Sequence, residues 1–375
     1  MGFVADYKSG DLVQDTTPHS EPQAGEQVFN ALYGLVDAYM VIDECYKIAF
    51  VLWVIFSYLV GHSQIAPIAW ITSPEKQCGK STLFGLFARV VDRPFTANNI
   101  TQAVLYRVME KYRPCLLVDE IDTSLKDKGE LLGIINAGYS RHASITPRIN
   151  TDNGGAVDTF NAYGAKVFAG IGEMQGTFAS RAIRFNLRRK HQGETAQRLT
   201  LKTLPHAKTD EIKAVVKRWA SDNIDAIVAT HIPLLPINDR DFNNWEFLLQ
   251  IASVLGIYDR AVNACLAICQ DKGELSQNEQ LLADIRAVWN GGDKMSLRFL
   301  HERLTAIPDM QWATYDNGLP ISLYKLSKLI KGFGLATKTV KFDATATAKG
   351  YEKAQMMLLW ERYLPPPIED DCPFF

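Results

Sequence analysis

The sequence predicts an α/β fold whose core is a parallel sheet, followed by a helical region and a smaller C-terminal module. Three observations predict the sheet. Residues 67–73 (PIAWITS) form a short apolar run, which is typical of a strand buried on both faces. Residues 82–91 (TLFGLFARVV) carry apolar side chains at helical spacing directly after a glycine-lysine turn. Residues 115–122 (CLLVDEID) form another apolar strand that ends in acids.

The turn between the first strand and its helix reads SPEKQCGKST (73–82) and matches the phosphate-loop pattern G-x-x-x-x-G-K-[ST] except at its first glycine. Pro74 stands at that place, and its fixed φ also suits a tight turn. In such a loop, backbone N–H groups surround phosphate oxygens, the lysine reaches the β- and γ-phosphates, and the next hydroxyl ligates Mg²⁺. We therefore expect ATP here, contacted by Glu75, Lys76, Gln77, Cys78, Gly79, Lys80, Ser81 and Thr82.

The acids that end the second apolar strand fit the other half of such a site. Asp119 is predicted to ligate Mg²⁺ together with Ser81, directly or through water, and Glu120 to orient the attacking water. Asp122 is the alternative to Glu120. A buried strand with solvated acids beside an ordinary turn is the simpler interpretation, but it does not explain why the two motifs occur together. The sequence thus predicts an Mg²⁺-dependent ATPase, with Lys80 and Glu120 as catalytic residues.

The chain resembles a family of phage-, plasmid- and island-associated P-loop ATPases, whose members are often attached to toprim-type primase or other replication modules. The stretches that carry the resemblance are IAFVLWVIFSYLVGH (48–62), SPEKQCGKSTL (73–83), RPCLLVDEIDTSL (113–125), ELLGIINAGYSRHASITPR (130–148), GAKVFAGIG (164–172), SRAIRFNLRRK (180–190), LLADIRAVW (281–289) and KGYEKAQMMLLWERYLP (349–365). The resemblance implies an α/β P-loop NTPase core of the ASCE/AAA+ type and helicase-like ATP hydrolysis. One departure is that Arg181 keeps the family's arginine but lacks its acidic neighbour.

Arg181 is the third predicted catalytic residue. ATPases of this class commonly complete their site across a subunit interface, with an arginine that touches the γ-phosphate. Arg148 and Arg184 are alternatives, and a local ion pair with Glu173 is the simpler interpretation of Arg181. A head-to-tail interface can close into a ring, so we expect a homo-oligomer, hexameric for this class. A polar sensor residue is expected nearby, at Glu173 or Thr177.

Length and composition fit a globular chain of more than one domain, with 375 residues, 47% hydrophobic and 22% charged. The formal net charge of −2 excludes a uniformly basic nucleic-acid coat but not a local basic patch. The predicted division is a disordered N-terminus (1–25), a helical lead-in (26–66), the ATPase core (67–195), a helical region (196–275), a winged-helix-like module (276–365) and a tail (366–375).

Several features predict a cytoplasmic protein that does not contact a membrane. The six cysteines form no C-x-x-C pair, which suits reduced thiols, and Cys265 and Cys269 are predicted to pack in a core rather than bind zinc. The first thirty residues lack an apolar stretch, so no signal peptide is expected. The apolar run 48–56 is shorter than the roughly 20 residues that span a bilayer. We predict a buried helix there, with a membrane span as the alternative.

The C-terminal module is predicted to bind nucleic acid, DNA in preference to RNA. Three helical segments, at 281–290, 295–307 and 321–334, precede a segment at 337–353 that can form a hairpin, which is the order of a winged helix. A basic face on a protein-interaction module is the alternative. The lysines predicted to contact phosphates are Lys325, Lys328, Lys331 and Lys338.

Two function classes stay open at this point. The preferred one is an ATP-driven motor or remodeller, helicase- or AAA+-like, that acts on nucleic acid in the replication or maintenance of a phage or other mobile element. The other is an ATP-gated oligomeric switch or scaffold for a protein partner, for example in antiviral defence. The sequence has no recognisable nuclease, primase or protease motif, so either class calls for a replication or defence partner.

Overall fold

The chain folds into two compact units, Met1–Lys272 and Gly273–Phe375. The computed structural model describes residues 13–97, 101–119, 133, 136, 138–150, 156–171, 177–270, 277–289, 291–307, 310–316, 318–342 and 347–364. Each unit has hydrophobic core residues of its own. The finer domain limits given above remain predictions.

The first unit alternates helices and strands before it ends in helices. Its first part contains α1 (Gly25–Tyr39), α2 (Glu44–Leu59), β1 (Ile68–Thr72), α3 (Lys80–Val90), β2 (Pro94–Ala97), α4 (Gln102–Tyr112) and β3 (Cys115–Val118). Next come β4 (Ile145–Asn150), β5 (Ala156–Asn161), β6 (Lys166–Ala169) and β7 (Ala182–Asn186). The last part contains α5 (His206–Ala229), α6 (Asp239–Leu255) and α7 (Tyr258–Gln270).

Five strands of this unit form a parallel sheet in the order β2-β3-β6-β1-β7. β1 lies between β6 and β7, with Ile68 opposite both Lys166 and Ala182. β4 and β5 pair with each other as a separate antiparallel hairpin. The parallel sheet with helices confirms the α/β part of the predicted fold class and is compatible with a P-loop-like core, whereas the P-loop NTPase type and the winged-helix-like module stay predictions.

The two faces of the sheet are covered by different helices because side chains alternate along a strand. Ala69 and Ile71 of β1 pack in the core that contains α1, α2 and α3. Ile68 and Trp70 pack on the opposite face, with α4 side chains and Phe178. Every residue of β1 is therefore buried, which explains its unbroken apolar sequence.

The apolar run at 48–56 lies in α2, whose side chains from Ile48 to Leu59 are buried. In the part of the chain that the structure describes, Glu44–His62 is the one helical stretch long and apolar enough to cross a membrane, and 67% of its most apolar window is buried inside the protein. This burial agrees with the predicted core helix.

Two segments of the first unit differ from the sequence-based expectations. Residues 196–205 contain no regular helix, and the helical region begins only at His206. Within the N-terminal stretch expected to be disordered, residues 13–24 are described, and His19 N–H donates to the carbonyl of Ala214 on α5 at 2.9 Å. The Arg218 side chain donates to the carbonyl of Ser20 at 2.8 Å, so tertiary hydrogen bonds hold this polar segment.

The second unit combines helices with a three-stranded antiparallel sheet of order β8-β10-β9. Its elements are α8 (Gln277–Val288), β8 (Lys294–Ser296), α9 (Leu297–Thr305), α10 (Leu323–Gly332), β9 (Lys338–Lys341), β10 (Thr347–Glu352) and α11 (Lys353–Tyr363). The three predicted helices and the hairpin are present, whereas β8 and α11 were not predicted.

Local signals set the limits of α9 and α10. The Ser296 hydroxyl accepts a hydrogen bond from Phe299 N–H, and the Ser322 hydroxyl accepts one from Lys325 N–H, both at 3.2 Å. Gly334, with φ of +88°, follows α10 and provides a left-handed residue that ends the helix.

Candidate functional site

The loop between β1 and α3 has the backbone geometry of an anion cradle. Gly79 caps α3 with φ of +89°, and Gln77 is also left-handed, with φ of +66°. Left-handed residues turn successive N–H groups toward one concave side, and the first N–H groups of a helix lack helical partners. Pro74 is exposed at the start of the loop, where it leaves the turn intact. The loop can therefore receive phosphate oxygens.

Lys80 lies at the first position of α3, with its ammonium group held across the loop. Its Nζ donates to Ser73 Oγ at 2.7 Å and to the Glu75 carbonyl at 3.4 Å. Ser73 is buried, and its hydroxyl donates to the same Glu75 carbonyl at 2.6 Å. These bonds are local, so the Lys80 ammonium can exchange them for hydrogen bonds to a phosphate in the cradle without a change in the sheet.

Asp119 directly follows β3, at the same edge of the sheet as the loop, because parallel strands end at a common edge. We call this edge the carboxyl edge. β6 separates β3 from β1, so the two strand ends are about 10 Å apart. Glu120 and Asp122 lie outside the described residues.

The donor set at the carboxyl edge fits Mg²⁺. This ion commonly uses one or two protein oxygen ligands together with substrate phosphates, and Ser81 and Asp119 supply a hydroxyl and a carboxylate. Among the described residues, no group of three His, Cys, Asp or Glu side chains forms a metal site built from protein alone. Cys265 is buried in the helical core and Cys269 is half-buried against it, and neither forms a disulfide.

Three cationic residues that the sequence argument did not assign follow β7 at the carboxyl edge. Arg189 Nε donates to the carbonyl of Lys76 in the loop at 3.2 Å. Arg188 forms an ion pair with Asp43 at 2.5 Å, and Lys190 lies on the wall of a cleft beside the loop. Their sequence signal is the run RRK directly after a strand. The contact of this run with the loop depends on the pairing of β7 with β1, which the sequence does not reveal.

Arg181 lies at the opposite edge of the sheet, which we call the amino edge. It directly precedes β7, and Ala182 is opposite Ile68 at the beginning of β1. The loop follows Thr72 at the far end of β1, so about 17 Å of strand separates the two positions. Within one copy of the chain, Arg181 therefore does not lie beside the loop between β1 and α3.

A tyrosine and a second arginine accompany Arg181. The guanidinium carbons of Arg181 and Arg240 lie 5.3 Å and 5.6 Å from the centroid of the Tyr139 ring. The Tyr139 hydroxyl donates to Asn244 Oδ1 at 2.8 Å, and Asn244 Nδ2 donates to the Ser180 carbonyl at 3.0 Å. Burial and the neighbouring charge of Arg240 lower the pKa of Arg181. Two cations thus contact one aromatic ring, which attracts both guanidinium groups.

The structure also describes some of the residues that were predicted as alternatives or partners of Arg181. Within the described part of the chain, no ion pair includes Arg181, and its Nε has no hydrogen-bond partner. Arg184 is half-buried in the middle of β7. Thr177 accepts a hydrogen bond from Asn136 Nδ2 at 3.2 Å. The side chain of Arg148 and all of Glu173 lie outside the described residues.

The lysines of the second unit divide into paired and unpaired groups. Lys325 forms an ion pair with Asp316, and Lys338 forms one with Glu352 at 2.6 Å. Lys328 and Lys331 are exposed on α10, and neither has an ion pair among the described residues. Trp312 stacks on Tyr315 with ring centroids 5.4 Å apart and is fully buried, so this pair packs the unit.

The chain is similar to a protein family and to a curated bacterial protein. A family described as "Protein of unknown function (DUF3631)" matches residues 186–363, a range that begins at the end of β7 and excludes the phosphate loop. The "Uncharacterized 28.9 kDa protein in xis 5'region" of Saccharopolyspora erythraea is 33% identical over 138 residues, or 36% of this chain. The chain spans about half of that relative's length, 52%.

Among solved structures, the A form apo structure of the NrS-1 C-terminal region (residues 305–718) aligns with 92% of this chain and 79% of its own chain. The TM-score is 0.37 and the sequence identity is 13%.

Proposed function

We propose that the chain binds and hydrolyses ATP with Mg²⁺, and that it uses this reaction to move or remodel nucleic acid. The observation that supports the proposal most strongly is the position of two motifs at one edge of a parallel sheet. The loop with Lys80 follows β1, and Asp119 follows β3, with one strand, β6, between them. Ligands of open α/β sheets commonly bind at the carboxyl ends of the strands.

Each residue at this edge has a role in the proposed reaction. Backbone N–H groups of the loop hold the phosphates, and Lys80 releases Ser73 Oγ to contact the β- and γ-phosphates. Ser81 and Asp119 hold Mg²⁺, which neutralises charge on the phosphate oxygens when it is bound. Glu120, the next residue after Asp119, orients the attacking water.

Arg181 acts in the proposed mechanism from a neighbouring copy of the chain. Its place at the amino edge, about 17 Å of strand away from the loop, supports a role in the site of another copy rather than in its own. A head-to-tail assembly brings the amino edge of one copy to the carboxyl edge of the next and closes into a ring, which we propose to be hexameric. Tyr139 and Arg240 position the Arg181 guanidinium at that interface.

The second unit provides the proposed nucleic-acid contact. The order of α8, β8, α9, α10, β9 and β10 supports a winged-helix-like module, with α10 as the basic helix. Lys328 and Lys331 are exposed on it and available to phosphates. The motif resemblance, and the relative named for its place in an xis 5' region, support a setting in a phage or other mobile element.

The loop is tested with a matched pair of lysine variants. Lys80→Ala is expected to weaken ATP binding about 10- to 100-fold, because a charged hydrogen bond to phosphate is lost. Lys76→Ala is the control, since it removes only an exposed side chain and keeps the backbone N–H, through which Lys76 is expected to contact ATP, and the carbonyl that Arg189 contacts. Isothermal titration with ATP and Mg²⁺ measures both. Equal affinities for the two variants contradict the assignment of Lys80.

Phosphate release with and without forked DNA separates hydrolysis from its proposed use. Glu120→Gln is expected to keep ATP bound and lower turnover about 100-fold or more. Wild-type turnover that rises several-fold with forked or single-stranded DNA supports the motor. Turnover that is indifferent to nucleic acid contradicts the motor and favours the switch or scaffold. Full turnover of Glu120→Gln moves the role to another acid such as Asp122.

A further inference from the structure

The exposed side of α10 carries one row of side chains, which we call the α10 stripe. Tyr324, Lys328 and Lys331 are spaced by four and three residues, so they lie along one side of the helix. Tyr324 is 72% exposed, and both lysines are exposed without an ion pair among the described residues. Leu326 and Ile330 lie on the other side of α10 and pack in the core of the second unit. The stripe is therefore a firmly held surface with two free cations and an aromatic ring.

The described chain leaves the second unit beside the C-terminal end of this stripe. Phe333 directly follows α10, and its ring centroid lies 4.9 Å from that of Tyr363 at the end of α11. Leu364 comes next and is buried, and its N–H donates to the Trp360 carbonyl at 2.9 Å. Because Lys331 lies only two residues before Phe333, the chain beyond Leu364 starts near the cationic end of the stripe.

The residues after Leu364 read PPPIEDDCPFF (365–375), and we call them the acidic segment. They lie outside the described residues, so only their sequence is used here. The segment has no basic residue, and its charged and aromatic side chains are Glu369, Asp370, Asp371, Phe374 and Phe375. Its charge is thus opposite to that of the α10 stripe.

The order of side chains in the acidic segment also matches the order along α10. From the C-terminal end of the helix, two lysines come first and Tyr324 follows, just as the acids precede the phenylalanines. An extended chain covers at most about 3.6 Å per residue, so Glu369 can lie up to about 18 Å from Leu364. The stripe from Lys331 to Tyr324 covers only about 10 Å along the helix axis. The acidic segment is therefore long enough to cover the whole stripe.

We propose that the acidic segment binds to the α10 stripe of its own chain, and that nucleic acid must displace it. The inference rests on the function proposed above, in which Lys328 and Lys331 contact phosphates. The three carboxylates pair with these two lysines, and the phenylalanines pack on the ring of Tyr324. Such exposed ion pairs are individually weak, but a short tether gives an effective concentration on the order of millimolar. The segment therefore acts as a built-in competitor that imitates the charge of a nucleic-acid backbone.

Carbodiimide cross-linking of the full wild-type chain tests the contact without DNA and without a variant. The reagent joins an ammonium group to a carboxylate that touches it, and peptide mass spectrometry identifies the joined pair. We expect Lys328 and Lys331 to be joined to residues 369–371. Lys349, which is exposed on β10, is the control and is expected to be joined to them in much lower yield. Equal yields at Lys349, or no cross-link on α10, contradict the proposed contact.

A mixture of isotope-labelled and unlabelled chains shows whether the joined residues belong to one copy. We expect each cross-linked peptide pair to carry label on both peptides or on neither. Pairs with label on one peptide show that the acidic segment binds a second copy, and they overturn the assignment to its own chain.

Fluorescence anisotropy with forked DNA at low salt tests the competition. The variant Asp370→Asn with Asp371→Asn is expected to bind DNA about 3- to 10-fold more tightly, because fewer ion pairs compete for the lysines. Asp293→Asn with Glu361→Gln is the matched control, since it removes the same charge from two exposed positions of the second unit. We expect its affinity to stay within about 2-fold of wild type.

The same measurement in the background of Lys328→Glu and Lys331→Glu locates the effect. There the neutralised segment is expected to bring no gain in affinity, because its binding partners on α10 are gone. A gain that persists in this background, or an equal gain in the matched control, excludes competition at the stripe. If neither wild type nor the variants bind DNA, the proposed function and the competition both fail, whereas the cross-links still decide whether the segment contacts α10.

Discussion

The two ends of β7 carry arginines that differ in every structural respect. At the carboxyl end, Arg188 pairs with Asp43, and Arg189 donates to the loop carbonyl of Lys76. At the amino end, Arg181 stacks on Tyr139 beside a second cation, Arg240, and has no ion pair among the described residues. One end contacts the β1–α3 loop of its own chain, whereas the other carries a guanidinium with no ion-pair partner among the described residues, at the far edge of the sheet.

This difference shows how strand direction assigns roles to residues of the same type. Because the sheet is parallel, a side chain before β7 and a side chain after it lie at opposite edges, although few residues separate them in sequence. The cations after β7 can support nucleotide binding in their own chain. The cation before β7 can meet a phosphate only from another molecule.

The largest expected effect is the loss of turnover in Arg181→Ala. An arginine that stabilises the transferred phosphoryl group contributes about 10³-fold or more to turnover, so the rate of phosphate release is expected to fall by about that factor. ATP affinity is expected to stay within about 2-fold, because Arg181 does not contact nucleotide in its own chain. Titration and steady-state kinetics on the same preparation measure both quantities.

Arg189→Ala sharpens the comparison as the matched change at the other end of β7. It removes the hydrogen bond to the Lys76 carbonyl, so the loop loses a support of about 1 kcal/mol, and ATP affinity is expected to fall several-fold. Turnover at saturating ATP is expected to change little. If Arg181→Ala mainly weakens affinity and Arg189→Ala mainly slows turnover, the roles of the two ends are reversed.

The amino edge is also expected to show a dependence of stability on pH that comes from Lys166. This side chain is 2% exposed, and its Nζ donates to the carbonyl of Gly138 at 2.9 Å and to that of Gly164 at 2.8 Å. Gly138 is the residue directly before Tyr139. Burial lowers the pKa of Lys166 to about 7, and the nearby Cys115 thiol acts weakly in the other direction. The unfolded chain keeps its proton up to a pKa of about 10.4.

Between pH 7 and about 10, unfolding therefore takes up a proton at Lys166, and the free energy of unfolding is expected to rise with pH by at most about 1.4 kcal/mol per unit. Below pH 7 both states are protonated and the contribution is constant. Denaturant unfolding of wild type and Lys166→Met at several pH values isolates the contribution of Lys166 to the free energy of unfolding. A wild-type-minus-variant difference that stays flat across this range contradicts the buried, neutral lysine.

The smallest expected effects distinguish the paired from the unpaired lysines of the second unit. The double variant Lys328→Glu and Lys331→Glu is expected to weaken DNA binding. It is also expected to make the slope of log affinity against log salt concentration shallower, by the amount that about two phosphate contacts contribute. Lys325→Ala with Lys338→Ala is the comparison, and it is expected to change affinity less, because Asp316 and Glu352 already neutralise those two charges. Fluorescence anisotropy over a range of salt concentrations measures both. Equal losses contradict the division.

The sequence predicts what is local and misses what depends on strand order. The loop, β3 with Asp119, and the buried helix at 48–56 are each encoded in a few neighbouring residues, and the structure contains them all. The role of Arg189 depends on β7 lying beside β1, which no local pattern encodes. β8 spans three residues, Lys294–Ser296, and exists through its pairing with β10, so its sequence has no period to detect.

The sequence analysis does not predict α11, and it does not predict the edge of the sheet at which Arg181 lies. Met356, Leu359 and Trp360 of α11 are buried at helical spacing, so its signal was available in the sequence. Arg181 is predicted from the sequence to touch a γ-phosphate across a subunit interface, but the sequence does not show at which edge of the sheet it lies. Only the pairing of β7 with β1 places it at the amino edge.

The most direct test of the account is a mixture of two inactive variants. Arg181→Ala keeps an intact loop, and Lys80→Ala keeps an intact arginine, so about a quarter of the interfaces in a randomly mixed ring combine an intact loop with an intact arginine. An equal mixture is expected to hydrolyse ATP clearly faster than either variant alone, at a fraction of the wild-type rate. A mixture that is no faster than its components, from subunits shown to exchange, contradicts a site shared between two copies of the chain.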